Sequence, residues 1–159
     1  HARLTKVANM MGMMVSRRIV AEYKVTRDDI LNYTIFDDAI SMNAYGVDIH
    51  NPNGGGCELY WLIPGHAYSI PYRALRPLEV VNIIAAGRCI AHDGIAVMAT
   101  CYGTGEAAGA AAALSIKEDV PFRKLSVKKL QDQLKKQGVY LGDQEPEKPE
   151  PRYIHISTI

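Results

Sequence analysis

One stretch of the sequence, residues 82–114, constrains the fold more than any other. It opens with a short apolar run rich in isoleucine, Asn82 to Ala86, which stops at Gly87. Such a run predicts a strand that is covered on both faces. From about Thr100 to Leu114 most residues are glycine, threonine or alanine, and this part predicts a helix. The stretch is therefore expected to form a strand, a polar loop and a helix whose first turns carry little side chain.

The glycines of the predicted helix need an explanation. Gly103, Gly105 and Gly109 each cost roughly 1 kcal/mol relative to alanine inside a helix, so another backbone or a ligand is expected to come close to them. The start of a helix also exposes unpaired N–H groups and a partial positive charge, which bind an anion or an electron-rich ring oxygen. Two interpretations stay open: a ligand-binding helix start, or a small-residue helix that packs on a sheet with nothing bound.

A motif within the same helix is misleading. Gly103, Gly105 and Ala108 match the dinucleotide-binding pattern G-x-G-x-x-G/A. That pattern binds a dinucleotide only where a strand ends directly at the first glycine. Here the predicted strand ends near Gly87, and more than ten residues intervene. We therefore do not interpret the match as an independent NAD site.

Composition limits the classes of function. The chain has 159 residues, of which 48% are apolar and 22% charged, with a formal charge of +1. It is long enough for one domain with its own core, and its charge favours neither nucleic acid nor an anionic membrane as a partner. No apolar run approaches the roughly 20 residues of a membrane span and no signal peptide is visible. The compartment stays open, with the cytoplasm favoured.

The cysteines argue against two kinds of site. Cys57, Cys89 and Cys101 are odd in number and show no C-x-x-C spacing. This pattern predicts thiols that are buried or partly buried, rather than a disulfide framework or a zinc site. No metal is expected from the sequence.

Local patterns predict further elements along the chain. They are a helix start at Leu4–Met14, a strand at Arg18–Val25, a helix entry capped by Thr26, a strand at 46–50, a hairpin of 58–63 with 67–75, and a helix at 126–137 that Gly138 ends. The β-prone segment 153–159 is expected to be either an edge strand or a partner-contacting tail. The glycine-rich loop 51–56 is expected to be a tip or a lid, and the Pro/Glu-rich segment 143–152 a linker. The lysines of the helix at 126–137 are interpreted as a solvated face.

Several segments resemble a known family. NIIAAGRCIA and VMATCYGTGEAAGAAAALS resemble the C-terminal cofactor-binding segment of bacterial FAD-dependent oxidoreductases with a glutathione-reductase-like fold. SRRIVAEYKVTRDDI, FDDAISMNAYGVDIH and YSIPYRALRP resemble other segments of that family in the same order. The resemblance spans about Met10 to Gly138.

The resemblance implies a fold and a domain division. It implies an α+β or α/β fold that corresponds to the C-terminal part of the FAD-binding enzyme. Residues 1–79 would form a β-rich region on the substrate side. Residues 80–142 would form the C-terminal part of the FAD-binding domain, with two helices, and residues 143–159 a linker and a terminal strand.

The resemblance also implies a missing region. Such enzymes open with a strand, a glycine-rich turn and a helix that bind the FAD pyrophosphate, and nothing before Asn82 matches that pattern. We expect the chain to be the C-terminal portion of a larger flavoenzyme, with the N-terminal nucleotide-binding region of the same protein as its partner. A first residue of His1 rather than Met agrees with this expectation.

The family assigns candidate cofactor residues. The cofactor would be FAD, with the backbone around Tyr102 to Gly105 facing the pyrimidine end of the flavin. Asp93, or alternatively Arg88, would hydrogen-bond the ribityl chain. The candidate cofactor-binding residues are Gly87, Arg88, Asp93, Tyr102, Gly103, Thr104 and Gly105.

The candidate catalytic residues are His50, Arg17, Tyr72 and Arg73. Arginine suits such a site because its fork binds a carboxylate and its charge stabilises a reduced, anionic flavin. Arg17 and Arg18 are adjacent, so on a strand only one of them can face the site. His66 and Tyr68 are weaker candidates. For every one of these residues a purely structural role stays open.

Two functions follow from these observations. The first is an oxidoreductase that transfers hydride between a small organic substrate and flavin, with the fragment inactive alone. The second is a non-catalytic structural or interaction module that kept the flavoprotein fold. The family usually carries an arginine and a glutamate in the places of Met14 and Val15. It often carries an arginine in the place of Ala96. These departures motivate the second function. A homo-oligomer stays open.

Overall fold

Helices and antiparallel strands alternate irregularly along the chain. The computed structural model describes residues 3–10, 17–50, 55–95, 97–142 and 149–157. The elements are α1 (Arg27–Leu31), β1 (Ala39–Asn43), β2 (Val47–His50), β3 (Cys57–Leu62), β4 (Tyr68–Pro71), α2 (Met98–Glu118), α3 (Val127–Lys136) and β5 (Tyr153–Ser157). Short 3-10 turns lie at Tyr72–Ala74, Gly87–Cys89 and Phe122–Lys124. Every pair of named strands is antiparallel, so the fold is α+β.

The strands form two small sheets. One contains β1 and β4, and the other has the order β2-β3-β5. β5 lies at the edge of the second sheet, which is one of the two arrangements expected from the sequence. The predicted hairpin of residues 58–63 with 67–75 was wrong, because β4 pairs with β1 instead of β3. All four residues of β4 are buried. Its partner β1 is mostly buried as well, whereas β3 is only partly buried.

Two predicted strands do not form. The segment 18–25 is extended but pairs only at isolated bridges, Ala21 with Pro77 and Val25 with His92. The segment 82–86 forms no regular secondary structure. Its Ala85 N–H donates to the Leu75 carbonyl at 2.8 Å. Ile83 is 55% exposed, so this apolar run is not covered on both faces, and it has no neighbouring strand among the described residues.

Capping residues mark the helices that the sequence predicted well. Thr26 and Asp29 form a reciprocal capping box at the start of α1. Ser126 accepts from the Lys129 N–H at the start of α3, and Gly138, with φ of +90°, ends it. The helix expected at Leu4–Met14 is not present at residues 4–10, and residues 11–14 lie outside the described residues.

The hydrophobic core lies between α2, α3 and the β1–β4 sheet. Leu130 and Leu134 of α3 are fully buried against it, as the periodicity predicted. The predicted loop residues 51–54 and linker residues 143–148 lie outside the described residues. None of the three cysteines forms a disulfide. Across the ranges that the structure describes, no helix combines the length and the apolar character that crossing a membrane requires.

Candidate functional site

A short segment, residues 87–95, leads into α2 and is called the connection below. Its shape depends on one histidine. His92 is 1% exposed. Its Nδ1 accepts from the Ile95 N–H at 3.2 Å, so the proton of the neutral ring lies on Nε2, 3.3 Å from the Arg88 carbonyl oxygen. The ring thereby joins both ends of residues 88–95. Sequence reasoning did not single out His92, because nothing in its local pattern distinguishes it from other histidines.

The protonation state of His92 follows from its surroundings. Burial lowers the pKa of His92 to about 4, and the nearby charge of Arg18 adds to this effect. The guanidinium of Arg18 also donates to the His92 carbonyl oxygen. The ring is therefore neutral at pH 7, as its hydrogen bonds require. His92 positions the connection and does not present a proton to solvent.

Thr104 joins the connection to α2. The Gly87 N–H donates to the Thr104 hydroxyl oxygen at 3.0 Å, and that hydroxyl donates to the Thr100 carbonyl at 2.6 Å. Thr104 is fully buried. Gly87 adopts φ of +74°, a conformation that favours glycine. Two predicted cofactor-binding residues, Gly87 and Thr104, therefore bond each other directly.

One face of α2 is closed by the β1–β4 sheet. A Cβ atom on Gly103 would lie 2.1 Å from Ser41 Oγ and 3.0 Å from Ser41 Cβ. Glycine at this position thus allows the helix to lie close to β1. The buried Asn43 side chain donates to Tyr68 Oη at 2.8 Å and to Thr100 Oγ1. The pKa of Tyr68 is raised by burial, so its hydroxyl stays protonated and structural.

The other face and the first turn of α2 are open. Met98 and Tyr102 are 65% and 71% exposed. A Cβ atom on Gly105 or Gly109 would meet nothing within 4 Å. Val97 occupies the N-cap position without a side-chain cap, so the N–H groups of residues 98–100 have no intrahelical acceptor. The helix start is therefore not covered by the described bulky side chains.

The residues that match the dinucleotide-binding pattern do not lie where that pattern binds a dinucleotide. Gly103, Gly105 and Ala108 all lie inside α2, and none follows a strand directly. The N–H groups of residues 102–105 belong to the second turn, where helical geometry pairs them with preceding carbonyls. Any free backbone donors at this helix start lie before Cys101, whose own N–H bonds the Val97 carbonyl at 3.1 Å.

The predicted polar cofactor residues flank the same connection. Arg88 is exposed and follows Gly87 in the 3-10 turn. Asp93 is partly buried, and its Oδ1 lies 3.1 Å from Lys24 Nζ. One carboxylate oxygen of Asp93 is therefore engaged in an exposed ion pair. Ala96 lies outside the described residues.

Two of the four predicted catalytic residues make contacts that serve the fold. Tyr72 is fully buried and donates to the Phe122 carbonyl at 3.1 Å; burial raises its pKa to about 12. Arg73 Nη1 lies 2.9 Å from Asp38 Oδ1, and the guanidinium covers the Tyr23 ring at 4.8 Å. Both side chains are thus committed to structural contacts.

The remaining two catalytic candidates are accessible. Arg17 is exposed. His50 ends β2 with 63% of its side chain exposed, and its Nε2 lies 3.5 Å from Asp48 Oδ1. The Asp48 N–H donates to the Gly94 carbonyl at 3.1 Å, so β2 lies beside the connection that leads into α2. Of the weaker candidates, His66 contacts the Tyr33 ring. Met14 and Val15 lie outside the described residues.

Comparison with protein families identifies the class. A family model described as FAD dependent oxidoreductase matches residues 1–134. The chain therefore belongs to the FAD-dependent oxidoreductase family of flavoproteins, as the segments of the sequence predicted. No curated protein and no solved structure gives a significant match.

Proposed function

We propose that the chain forms part of an FAD-dependent oxidoreductase that transfers hydride between a small organic substrate and the flavin. One observation carries the proposal. Met98 and Ala99 in the first turn of α2 are exposed. The helix start has no side-chain cap, and its first N–H groups lack intrahelical acceptors. A helix start of this kind favours an electron-rich or negatively charged group.

The fit to a flat ring rests on the open face of the helix. Gly105 and Gly109 leave open space where other residues would place a Cβ atom. Tyr102, beside them, offers an exposed aromatic ring. A planar group resting on this face meets little side chain and lies close to the positive end of the helix. These features support FAD, and a glutathione-reductase-like arrangement, as the cofactor and fold of the proposal.

Bound FAD supplies hydride acceptance, and the chain supplies binding and polarisation. The N–H groups at the start of α2 stabilise negative charge that builds up beside them. Thr104 and His92 hold the connection in place, because each bonds backbone groups of residues 87–95. Arg88 adds a positive charge next to Gly87. The Asp93 oxygen that Lys24 does not contact would accept a hydrogen bond from a hydroxyl of the ribityl chain. We assign Tyr102 and Gly105 to the helix face that the flavin contacts. Gly103 and Thr104 lie on the closed face and hold the helix in place.

On the substrate side, Arg17 and His50 are the candidates with accessible side chains. Arg17 can pair with a substrate carboxylate, and the exposed imidazole of His50 can form a hydrogen bond with the substrate. In this proposal, the buried Tyr72 and the partly buried Arg73 stabilise the fold around the site. The FAD pyrophosphate site belongs to a preceding region of the same protein, because residues 1–81 contain no glycine-rich turn of the required type.

The experiment is a flavin-binding measurement on the full-length protein. We expect a yellow protein with one FAD per chain, whose absorbance is bleached anaerobically by a suitable donor. Tyr102→Ala is expected to weaken FAD binding, whereas Tyr140→Ala is the matched control, since Tyr140 is 66% exposed elsewhere. A colourless protein that cannot be reconstituted with FAD contradicts the proposal.

A second candidate function is a non-catalytic module that binds flavin or a partner but performs no redox step. The commitment of Tyr72 and Arg73 to structural contacts favours it. The two functions differ in one result: flavin that binds but is never reduced by candidate donors in a steady-state assay favours the module.

A further inference from the structure

Three metal-ligating side chains lie on one face of the β2–β3 hairpin. His50 and Cys57 are directly opposite each other in the antiparallel register. Asp48 precedes His50 by two positions on the same strand, so both side chains point to the same face. This arrangement comes from the pairing of two strands, which is why the spacing of the cysteines alone argued against a metal site.

The distances suit a single small cation. One ligand atom each from Asp48, His50 and Cys57 lies within 4.8 Å of the other two, and His50 Nε2 lies 3.5 Å from Asp48 Oδ1. Ligand atoms around a tetrahedral zinc ion are about 3.3–3.8 Å apart, from metal–ligand bonds of about 2.0–2.3 Å. The closest pair already has this separation. The third ligand needs to move by only about 1 Å, a shift that a side-chain rotation supplies.

The Asp48 carboxylate is the strongest sign of a ligand. Its Oδ1 is buried and has no hydrogen-bond partner among the described residues, apart from the nearby imidazole. A buried carboxylate oxygen without a partner is costly. The other oxygen, Oδ2, accepts from the Tyr45 hydroxyl at 3.4 Å, and the backbone N–H is bonded to Gly94. These contacts orient the carboxylate so that Oδ1 faces His50, as outer contacts do for metal ligands.

We propose that Asp48, His50 and Cys57 bind one Zn²⁺ ion. Thiolate, imidazole and carboxylate together form a ligand set for a borderline dication, whereas Mg²⁺ and Ca²⁺ prefer oxygen ligands only. Three protein ligands leave a fourth position for water or another molecule. On binding, the Cys57 thiol releases its proton and the imidazole binds in its neutral form. The site requires no flavin, so it stands whether or not the oxidoreductase proposal holds.

Zinc binding by the full chain tests the proposal. Metal-free protein is titrated with ZnCl₂ against a chromophoric chelator, and we expect one ion per chain. Cys57→Ala and His50→Gln are expected to weaken binding roughly 100-fold, since loss of an outer contact alone costs about 10- to 100-fold. The matched controls are Cys89→Ala and His66→Gln, which remove the same groups outside the cluster. Circular dichroism checks that each variant is folded.

Two measurements on protein that retains all three ligand residues test the proposal even if a variant fails to fold. Cobalt(II) is expected to give a thiolate-to-metal charge-transfer band, which Cys89→Ala retains. Stoichiometric Zn²⁺ is expected to protect Cys57, but not Cys89, from iodoacetamide, as read by peptide mass spectrometry. Absence of stoichiometric binding, equal binding by Cys57→Ala, or equal alkylation of Cys57 with and without zinc overturns the proposal.

Discussion

Two glycines of α2, Gly103 and Gly105, lie two positions apart and face opposite environments. A Cβ atom on Gly103 would collide with Ser41 of β1, whereas one on Gly105 would meet open space. The first glycine is required by packing. Gly105 lowers the stability of the helix without any gain in packing. In our account, a bound flavin ring explains why glycine stands at this position. The comparison separates the closed face of α2, which maintains the fold, from its open face, which we assign to the flavin.

The largest effect is expected from His92, on the closed side. Its folded pKa of about 4 lies below the ordinary histidine pKa of 6.5, so the unfolded state binds the proton more tightly. Stability is therefore fully present above about pH 6.5 and falls as pH drops toward 4. At 1.36 kcal/mol per pKa unit, the free energy of unfolding decreases by roughly 2 kcal/mol between pH 7 and pH 5.

Urea denaturation at pH 7, 6 and 5 measures this loss of the free energy of unfolding. These pH values lie above the range in which most carboxylates titrate. In His92→Gln the same pH interval is expected to produce a much smaller change, although the variant is less stable at pH 7. An unchanged pH dependence in that variant contradicts the role given to His92.

The next largest effect is expected from Thr104→Val. The change keeps the shape but removes the hydroxyl that accepts from the Gly87 N–H. A buried donor then lacks its partner, which costs about 1–3 kcal/mol. Thr104→Ser keeps the hydroxyl and is the control. Chemical denaturation is expected to find the wild type most stable, Thr104→Ser less stable and Thr104→Val least stable. A Thr104→Val variant as stable as the wild type contradicts the proposed link between the connection and the helix.

The smallest effects come from the glycine pair itself. Gly103→Ala is expected to destabilise the fold by about 1–2 kcal/mol, because the new methyl group overpacks against Ser41. Gly105→Ala is expected to stabilise it by about 0.5–1 kcal/mol, since the helix gains propensity in open space. Thermal unfolding of the two variants side by side measures the difference. Equal effects of the same sign erase the distinction between the two faces.

Local signals in the sequence predicted the helices well. Thr26 and Ser126 are caps, and Gly138 is a stop, so the ends of α1 and α3 follow from neighbouring residues. The strand at Val47–His50 was also predicted. These signals need no knowledge of the rest of the chain, which is why they succeed.

Pairing between distant residues could not be predicted. The alternation of residues 58–63 predicted a strand correctly but not its partners, since β3 pairs with β2 and β5. The reason for Gly103 depends on where Ser41 lies, and the cluster of Asp48 with Cys57 depends on strand register. The run at 82–86 predicted a strand from its apolar character alone, but a strand also needs a neighbour, and none is present among the described residues.

The most direct test of the account is the FAD affinity of a variant that fills the open face of α2. Gly105→Leu places a side chain where nothing lies within 4 Å, and Ala113→Leu makes a similar change at an exposed position two turns further along. FAD is titrated into the full-length apoprotein, with flavin fluorescence as the signal. The account predicts that Gly105→Leu weakens binding about tenfold or more, about 1.4 kcal/mol, while Ala113→Leu leaves it unchanged. Unchanged affinity in a folded Gly105→Leu protein contradicts the assignment of this face to the flavin.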